Sequence, residues 1–382
     1  MRVARSFSSV RSRGLRAAVL ALAFLGAGAC SDDPITPPRA PGLQGFVDSL
    51  ARVWNLPGLV VAVRRAGEEP SVVATGHAEL SSGRAMTPLD GFRVGSLTKP
   101  MVATVILQLA DEGRLSLDDS LTRFLPGILP DGDRLTVRQL LNHTSGVADY
   151  LDDQAFVDAV VANPARVWTP HELIAIGNAL PRRFAPGAAG SWEYSNTNYI
   201  LLGLVAEAAG GAPISALLET RVFAPMGMTS TYFGTSTSLT APFAQGYADL
   251  NSLQRNVAVG TLVSPTTAGA AGAVVSSASD LLRFVEALAT GELVSPASHL
   301  ARLTTVPASR FRYLGESFDF EYGLGVLVGD DWIGHNGAIP GYETEAYAKT
   351  GVGSVVVLIN KSTAEFAALP IAIAVRDRVL LE

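Results

Sequence analysis

Apolar positions change their spacing several times along this chain. Ala17 to Ala29 is one short unbroken apolar run behind five arginines. From Gly42 to Val53 the spacing is helical, whereas Leu59–Arg65 and Ser71–Thr75 are β-branched runs separated by Ala66-Gly67-Glu68-Glu69-Pro70. That pattern predicts a helix and then a β-hairpin. The apolar segment Met101 to Leu109 predicts a helix that starts at Ser96 and ends near Gly113. Between about 135 and 300, helical segments alternate with Pro and Gly breaks, and Asn198–Ala208 and Leu281–Leu288 keep a helical period. Strand-like runs return at Tyr322–Val328, Thr344–Ala348 and Ser354–Ile359, and Ala364–Leu380 closes the chain as a helix. Strands at both ends with helices between them predict one sheet completed by the two termini, with a helical subdomain inserted.

The N-terminal pattern has the layout of a secretory signal: basic start, short apolar centre, small residues at the cut. Cys30, the single cysteine, stands where a lipoprotein signal places the lipidated residue, while Ala27-Gly28-Ala29 equally suits an ordinary signal peptidase. Both readings cut before Cys30, and the lone thiol favours the lipoprotein. Residues 31–41 contain four prolines and read as an extended tether. The expected organisation is therefore a signal at 1–29, a tether at 30–42 and one folded domain at 43–382. The expected location is the bacterial cell envelope, with a membrane contact through a lipid on Cys30.

Composition narrows the function. Apolar residues make up 48% and charged residues 17%, which describes a globular chain. The formal charge of −6 contains the five arginines of residues 1–29, so the rest of the chain holds 24 basic against 35 acidic residues. No Lys/Arg cluster follows residue 16, which argues against a nucleic-acid partner. Only Lys99, Lys349 and Lys361 are lysine among 29 basic residues. Arginine keeps its proton where lysine can lose it, so a rare lysine is a candidate for chemistry.

Lys99 stands three residues after Ser96, and on a helix these positions share a face. A serine becomes a nucleophile when a neighbouring base takes its proton, and burial can make lysine that base. Ser is also a favoured helix cap and Lys an ordinary surface charge, so the pair alone leaves both readings open. Trp192 to Tyr199 places Tyr194 and Asn196 before an apolar helix. Tyr194 could relay a proton from Ser96 if cations held its phenolate, and Asn196 could donate to a substrate carbonyl; the competing reading is an aromatic loop with Asn198 capping the helix. His335-Asn336-Gly337-Ala338 would let substrate approach at Gly337, with the Ala338 N–H as an oxyanion donor, or would be a Gly-rich turn. His143 reads as a structural residue that bonds a loop. His171-Glu172 lacks a second His at position 175, so no catalytic metal and no cofactor is expected.

In the order Ser96-x-x-Lys99, Tyr194-x-Asn196, His335-x-Gly337, these motifs together resemble the penicillin-recognising serine hydrolases, which include class C β-lactamases, D-alanyl-D-alanine carboxypeptidases and related esterases. The resemblance runs from about Leu56 to Asn360. It implies an α+β fold, an antiparallel β-sheet flanked by helices with an inserted mainly α-helical subdomain, and a site in the cleft between them. It implies that Ser96 forms an acyl-enzyme, Lys99 and Tyr194 move its proton, Asn196 and His335 bind substrate, and the N–H groups of Ser96 and Ala338 form an oxyanion hole. A peptide or small-molecule substrate follows: a D-alanyl-D-alanine-type peptide, a β-lactam or a small ester, handled by a monomer. Class C β-lactamases carry Lys-Thr-Gly where this chain has His335-Asn336-Gly337, and a neutral imidazole attracts a carboxylate less than an ammonium does. The rival expectation is an inactive envelope scaffold of the same fold.

Overall fold

A computed structural model describes residues 42–250, 253–313, 316–364 and 366–381. The expected signal, the tether and Cys30 lie outside the described residues. The first element is α1 (Leu43–Val53), followed by the hairpin β1 (Gly58–Arg65) and β2 (Ser71–Glu79), with β3 (Arg84–Ala85) on its edge. The C-terminal third supplies β4 (Val306–Tyr313), β5 (Glu316–Tyr322), β6 (Leu327–Gly329), β7 (Trp332–Ile339), β8 (Tyr342–Lys349) and β9 (Gly353–Ile359). These nine strands form one antiparallel sheet in the order β3-β2-β1-β9-β8-β7-β6-β5-β4. The two ends of the chain meet where β1 pairs with β9, Val61 opposite Val357.

The central strands read as continuous apolar runs because both faces are covered. Leu59, Val61, Val63, Val355 and Val357 pack against α1 and the closing helix α10 (Ala368–Arg376). Their neighbours Val60, Ala62, Val356 and Leu358 point into the larger core on the other face. The inserted region runs through α2 (Thr98–Asp111), α3 (Val137–Leu141), α4 (Gln154–Ala162), α5 (Pro170–Ala179), α6 (Asn196–Gly210), α7 (Ile214–Leu218), α8 (Ala278–Thr290) and α9 (Pro296–Arg302). α2 is apolar on every side, and Met101, Val102, Val105, Ile106 and Leu109 are all buried, as a helix enclosed between layers requires. It packs against α6, while α8 lies on β8 and β9.

Two sequence expectations change. The run Tyr322–Val328 is not one strand: β5 stops at Tyr322 and β6 begins at Leu327. Between them Gly325 has φ +79°, and a Cβ on Gly323 would lie 2.0 Å from the Arg302 carbonyl oxygen, so the chain turns against α9. The α-helix of the Ser96 segment starts at Thr98, and Ser96 occupies a tighter 3-10 turn, Gly95–Leu97, in front of it.

Candidate active site

The turn at Ser96 is pressed against β7 by two glycines. Gly95 has φ +54°, and a Cβ there would stand 2.9 Å from the Ala338 nitrogen; a Cβ on Gly337 would lie 2.0 Å from the Val94 carbonyl oxygen. Thr344 of β8 ties the same point, donating its hydroxyl to Val94 O at 3.0 Å. The backbone of Ser96 and that of Ala338 are thereby held side by side.

One turn on, Lys99 is fully buried and donates to Ser96 Oγ at 3.0 Å, Asn196 Oδ1 at 2.7 Å and the Ala271 carbonyl at 2.8 Å. Among the described residues it forms no ion pair, whereas Lys349 pairs with Asp331 and Lys361 with Asp249. Burial pulls its pKa down from 10.5 to about 7, against the opposing pull of Asp149. The partner set then dictates what the neutral amine does. Asn196 Oδ1 and the Ala271 carbonyl can only accept, so they take both N–H groups and the lone pair remains for the Ser96 O–H.

Asn196 is oriented by Asp149, whose Oδ2 accepts from the Asn196 backbone N–H at 3.1 Å and from its Nδ2 at 2.7 Å. Burial raises the Asp149 pKa, and its hydrogen bonds with Leu151 and Asn196 and the Lys99 charge counter that. Nothing in the sequence singled out Asp149. Its local signal is that of a cap, accepting from the Leu151 N–H at 3.1 Å, and its approach to a helix 47 residues away is a tertiary event.

Tyr194 stands half-buried beside this group with its hydroxyl enclosed, and Lys99 Nζ lies 4.9 Å above its ring centre. Burial lifts its pKa well above 10; the Ser96 hydroxyl faces it and works the other way, without completing a hydrogen bond. The condition expected from the sequence, a phenolate held by cations, is therefore not met: at neutral pH Tyr194 carries its proton, and Lys99 is the group poised to accept one. His143 supports the ring from below at 4.4 Å between centres, and its Nδ1 meets the Ser195 N–H at 3.2 Å and Asn198 Nδ2 at 3.1 Å. Asn198 thus serves this network rather than capping α6, whose cap is Ser195. The loop role expected of His143 places it directly under the tyrosine.

His335 is buried, with Nε2 3.0 Å from the Tyr322 hydroxyl and Nδ1 2.5 Å from the Asn336 carbonyl oxygen. Burial first, and then the Lys99 charge, bring its pKa to about 3, so the imidazole is neutral. Both ring nitrogens are occupied within the protein, and the ring sits behind Tyr194 with centres 6.2 Å apart. The wall facing the cleft is formed by Asn336 and Ala338, and His335, expected to bind substrate, is not among the residues that line it. Gly337 likewise contributes proximity to Val94 rather than a surface.

Ser96, Asn196 and Ala338 stand between two hollows. One, of about 520 Å³, is apolar and lined by Tyr150, Leu151, Phe156, Val160, Leu262 and Ile339 among others. The other, of about 440 Å³, holds Trp192, Tyr194, Asn336, Tyr347 and Phe366. A third, of about 320 Å³, leads on from Tyr347 and Leu369 to Trp332 and Arg376, away from Ser96.

Known proteins resemble this chain over most of its length. The beta-lactamase family model matches residues 46–378. Esterase EstB of Burkholderia gladioli is 29% identical over 380 residues, covering 89% of this chain and 95% of the esterase. The structure of a D-stereospecific amidohydrolase from Streptomyces superposes with a TM-score of 0.76 at 32% identity, covering 88% of this chain and 97% of that one. D-amino acid amidase from Ochrobactrum anthropi SV3, complexed with L-phenylalanine amide, superposes with a TM-score of 0.77 at 28% identity over 88% and 96% of the two chains.

Proposed function

Because the chain belongs to the beta-lactamase family and is a serine hydrolase of peptides, amides or esters, we propose that it acts through an acyl-enzyme on Ser96 and that its substrates are amides or esters with an apolar acyl group and a leaving group free of carboxylate. The observation that carries the mechanism is the fully buried Lys99 amine, 3.0 Å from Ser96 Oγ and without an ion pair among the described residues. Neutral Lys99 takes the serine proton as Oγ attacks the carbonyl carbon, and the N–H groups of Ser96 and Ala338 receive the oxyanion. As the bond to the leaving group breaks, Tyr194 gives that group its proton and is resupplied from Lys99. Water then attacks the ester, Lys99 accepts its proton, and Ser96 regains its hydrogen as the acid departs.

The direction of binding follows from the proton donor. Tyr194 borders only the 440 Å³ hollow of the two, so the leaving group lies there and the acyl group in the apolar 520 Å³ hollow. No Lys or Arg lines the leaving-group hollow among the described residues, and His335 beside it is neutral. A leaving group with a carboxylate, as in D-alanyl-D-alanine peptides and bicyclic β-lactams, finds no cation among the described residues of that hollow. The words amidase and esterase in the relatives' names fit this choice.

The same proposal covers location: export with cleavage before Cys30, which becomes the lipidated first residue. A fluorophosphonate probe should label the wild type and not Ser96→Ala; no labelling of the folded wild type would return the chain to an inactive scaffold. Given a nitrophenyl ester, a D-Ala-D-Ala peptide and a chromogenic cephalosporin side by side, the ester should turn over fastest. Equal turnover of the cephalosporin would refute the proposed substrate class.

A further inference from the structure

The leaving-group hollow contains an acid that the mechanism does not use. Glu345 lies in the middle of β8, opposite Asn336 of β7 and Val357 of β9, and is wholly inaccessible to solvent. Two residues earlier on the same face, Glu343 is also buried but satisfied: it accepts from the Thr363 N–H, from the Thr363 hydroxyl at 2.7 Å and from the Ala368 N–H at 3.3 Å. Glu345 has no such partners. Among the described residues neither of its carboxyl oxygens finds a hydrogen-bond partner; the Tyr347 phenol approaches and helps the charged form without completing a bond. A buried carboxyl left unpaired is costly, whereas the other polar side chains of β8, Glu343, Thr344 and Lys349, all have partners.

The surroundings indicate what would satisfy it. Glu345 shares its hollow with Ser96, and the other side chains there include Trp192, Tyr194, Phe320, Tyr347 and Phe366. Aromatic faces around a buried carboxyl are the chemistry that receives an organic ammonium, the rings meeting its alkyl groups and the acid its N–H. We propose that Glu345 recognises a protonated amine carried by the leaving group, so that the preferred substrates are esters or amides of amino-alcohols or diamines. This rests on the reading above that the leaving group occupies the 440 Å³ hollow. Burial raises the Glu345 pKa far above the usual carboxylate range, with Glu343 adding to the effect, so the acid is neutral until the ammonium arrives and then releases its proton to solvent.

The test uses two esters of hexanoic acid that differ only in charge: the 2-(dimethylamino)ethyl ester, cationic at neutral pH, and the isosteric 3-methylbutyl ester. Wild type should favour the cationic ester by about tenfold or more in kcat/KM, and Glu345→Gln should bring the ratio to about one. Ser96-dependent hydrolysis of both esters at similar kcat/KM would overturn the Glu345 site and leave the serine hydrolase standing. If neither ester is hydrolysed, the acyl-enzyme reading fails, and calorimetric titration of Ser96→Ala decides the site on its own. Tighter binding of the cationic ester, lost in Ser96→Ala/Glu345→Gln, then supports it, and equal or absent binding of the two overturns it.

Discussion

Acylation of Ser96 should depend on pH through Lys99, and the structure sets where. With a pKa of about 7, about half of the Lys99 amines are neutral at pH 7 and about 1% at pH 5, whereas a lysine at the usual 10.5 would be neutral in about one molecule in 3,000 at pH 7. The second-order rate of fluorophosphonate labelling reads the acylation step alone. It should rise about tenfold per pH unit below pH 6, pass its midpoint near pH 7 and level off above pH 8, giving about a 50-fold difference between pH 5 and pH 7. The sign follows from the role: the base must be unprotonated, so activity is lost as pH falls through the folded-state pKa. The two histidines beside the site do not account for this limb, since His335 is held at about 3 and burial keeps His143 well below its usual value. Asp149 is the carboxylate that raises the Lys99 pKa, so Asp149→Asn should move the midpoint to lower pH while keeping the limb. Lys99→Arg should nearly abolish labelling at every pH, because a guanidinium cannot accept the proton. Labelling that keeps climbing to pH 9.5, a limb that vanishes in Asp149→Asn, or wild-type rates in Lys99→Arg would each refute Lys99 as the base.

Other consequences are open to direct measurement. Gly337→Ala places a Cβ 2.0 Å from the Val94 carbonyl oxygen. It should lower stability by about 1–3 kcal/mol in denaturant melts and slow labelling more than tenfold, since it parts the Ser96 turn from Ala338. Tyr194→Phe removes the proton donor but keeps the ring over His143; ester kcat/KM should fall about 100-fold or more, with wild-type turnover counting against its role. Mass measurement of the mature N-terminus should find a lipidated Cys30, and an unmodified thiol there would defeat the lipoprotein reading.

Much of the fold was legible because its signals are local. The β1–β2 hairpin and the apolar helix α2 are written in spacing, and spacing survives without knowledge of neighbours. The order of the three motifs likewise marked Ser96, Lys99, Tyr194 and Asn196, and the structure brings all four to one point. Strands β4 and β5 went unread even though Arg310 to Tyr313 and Ser317 to Tyr322 alternate polar and aromatic residues, the period of a half-buried strand. The break at Gly323 to Gly325 answers to contacts with Arg302, which no local pattern contains.

By itself, then, the sequence determined the residue types that can do the chemistry and the elements that carry them, because backbone preference and apolar period act over a few residues. Only the tertiary structure decided their states. Burial made Lys99 a base, kept Tyr194 protonated and made His335 neutral, because desolvation depends on everything packed around a group rather than on its neighbours in the chain. The same enclosure drew in Asp149 and left Glu345 without a partner at the wall of the cleft, two acids whose meaning depends wholly on what folds against them.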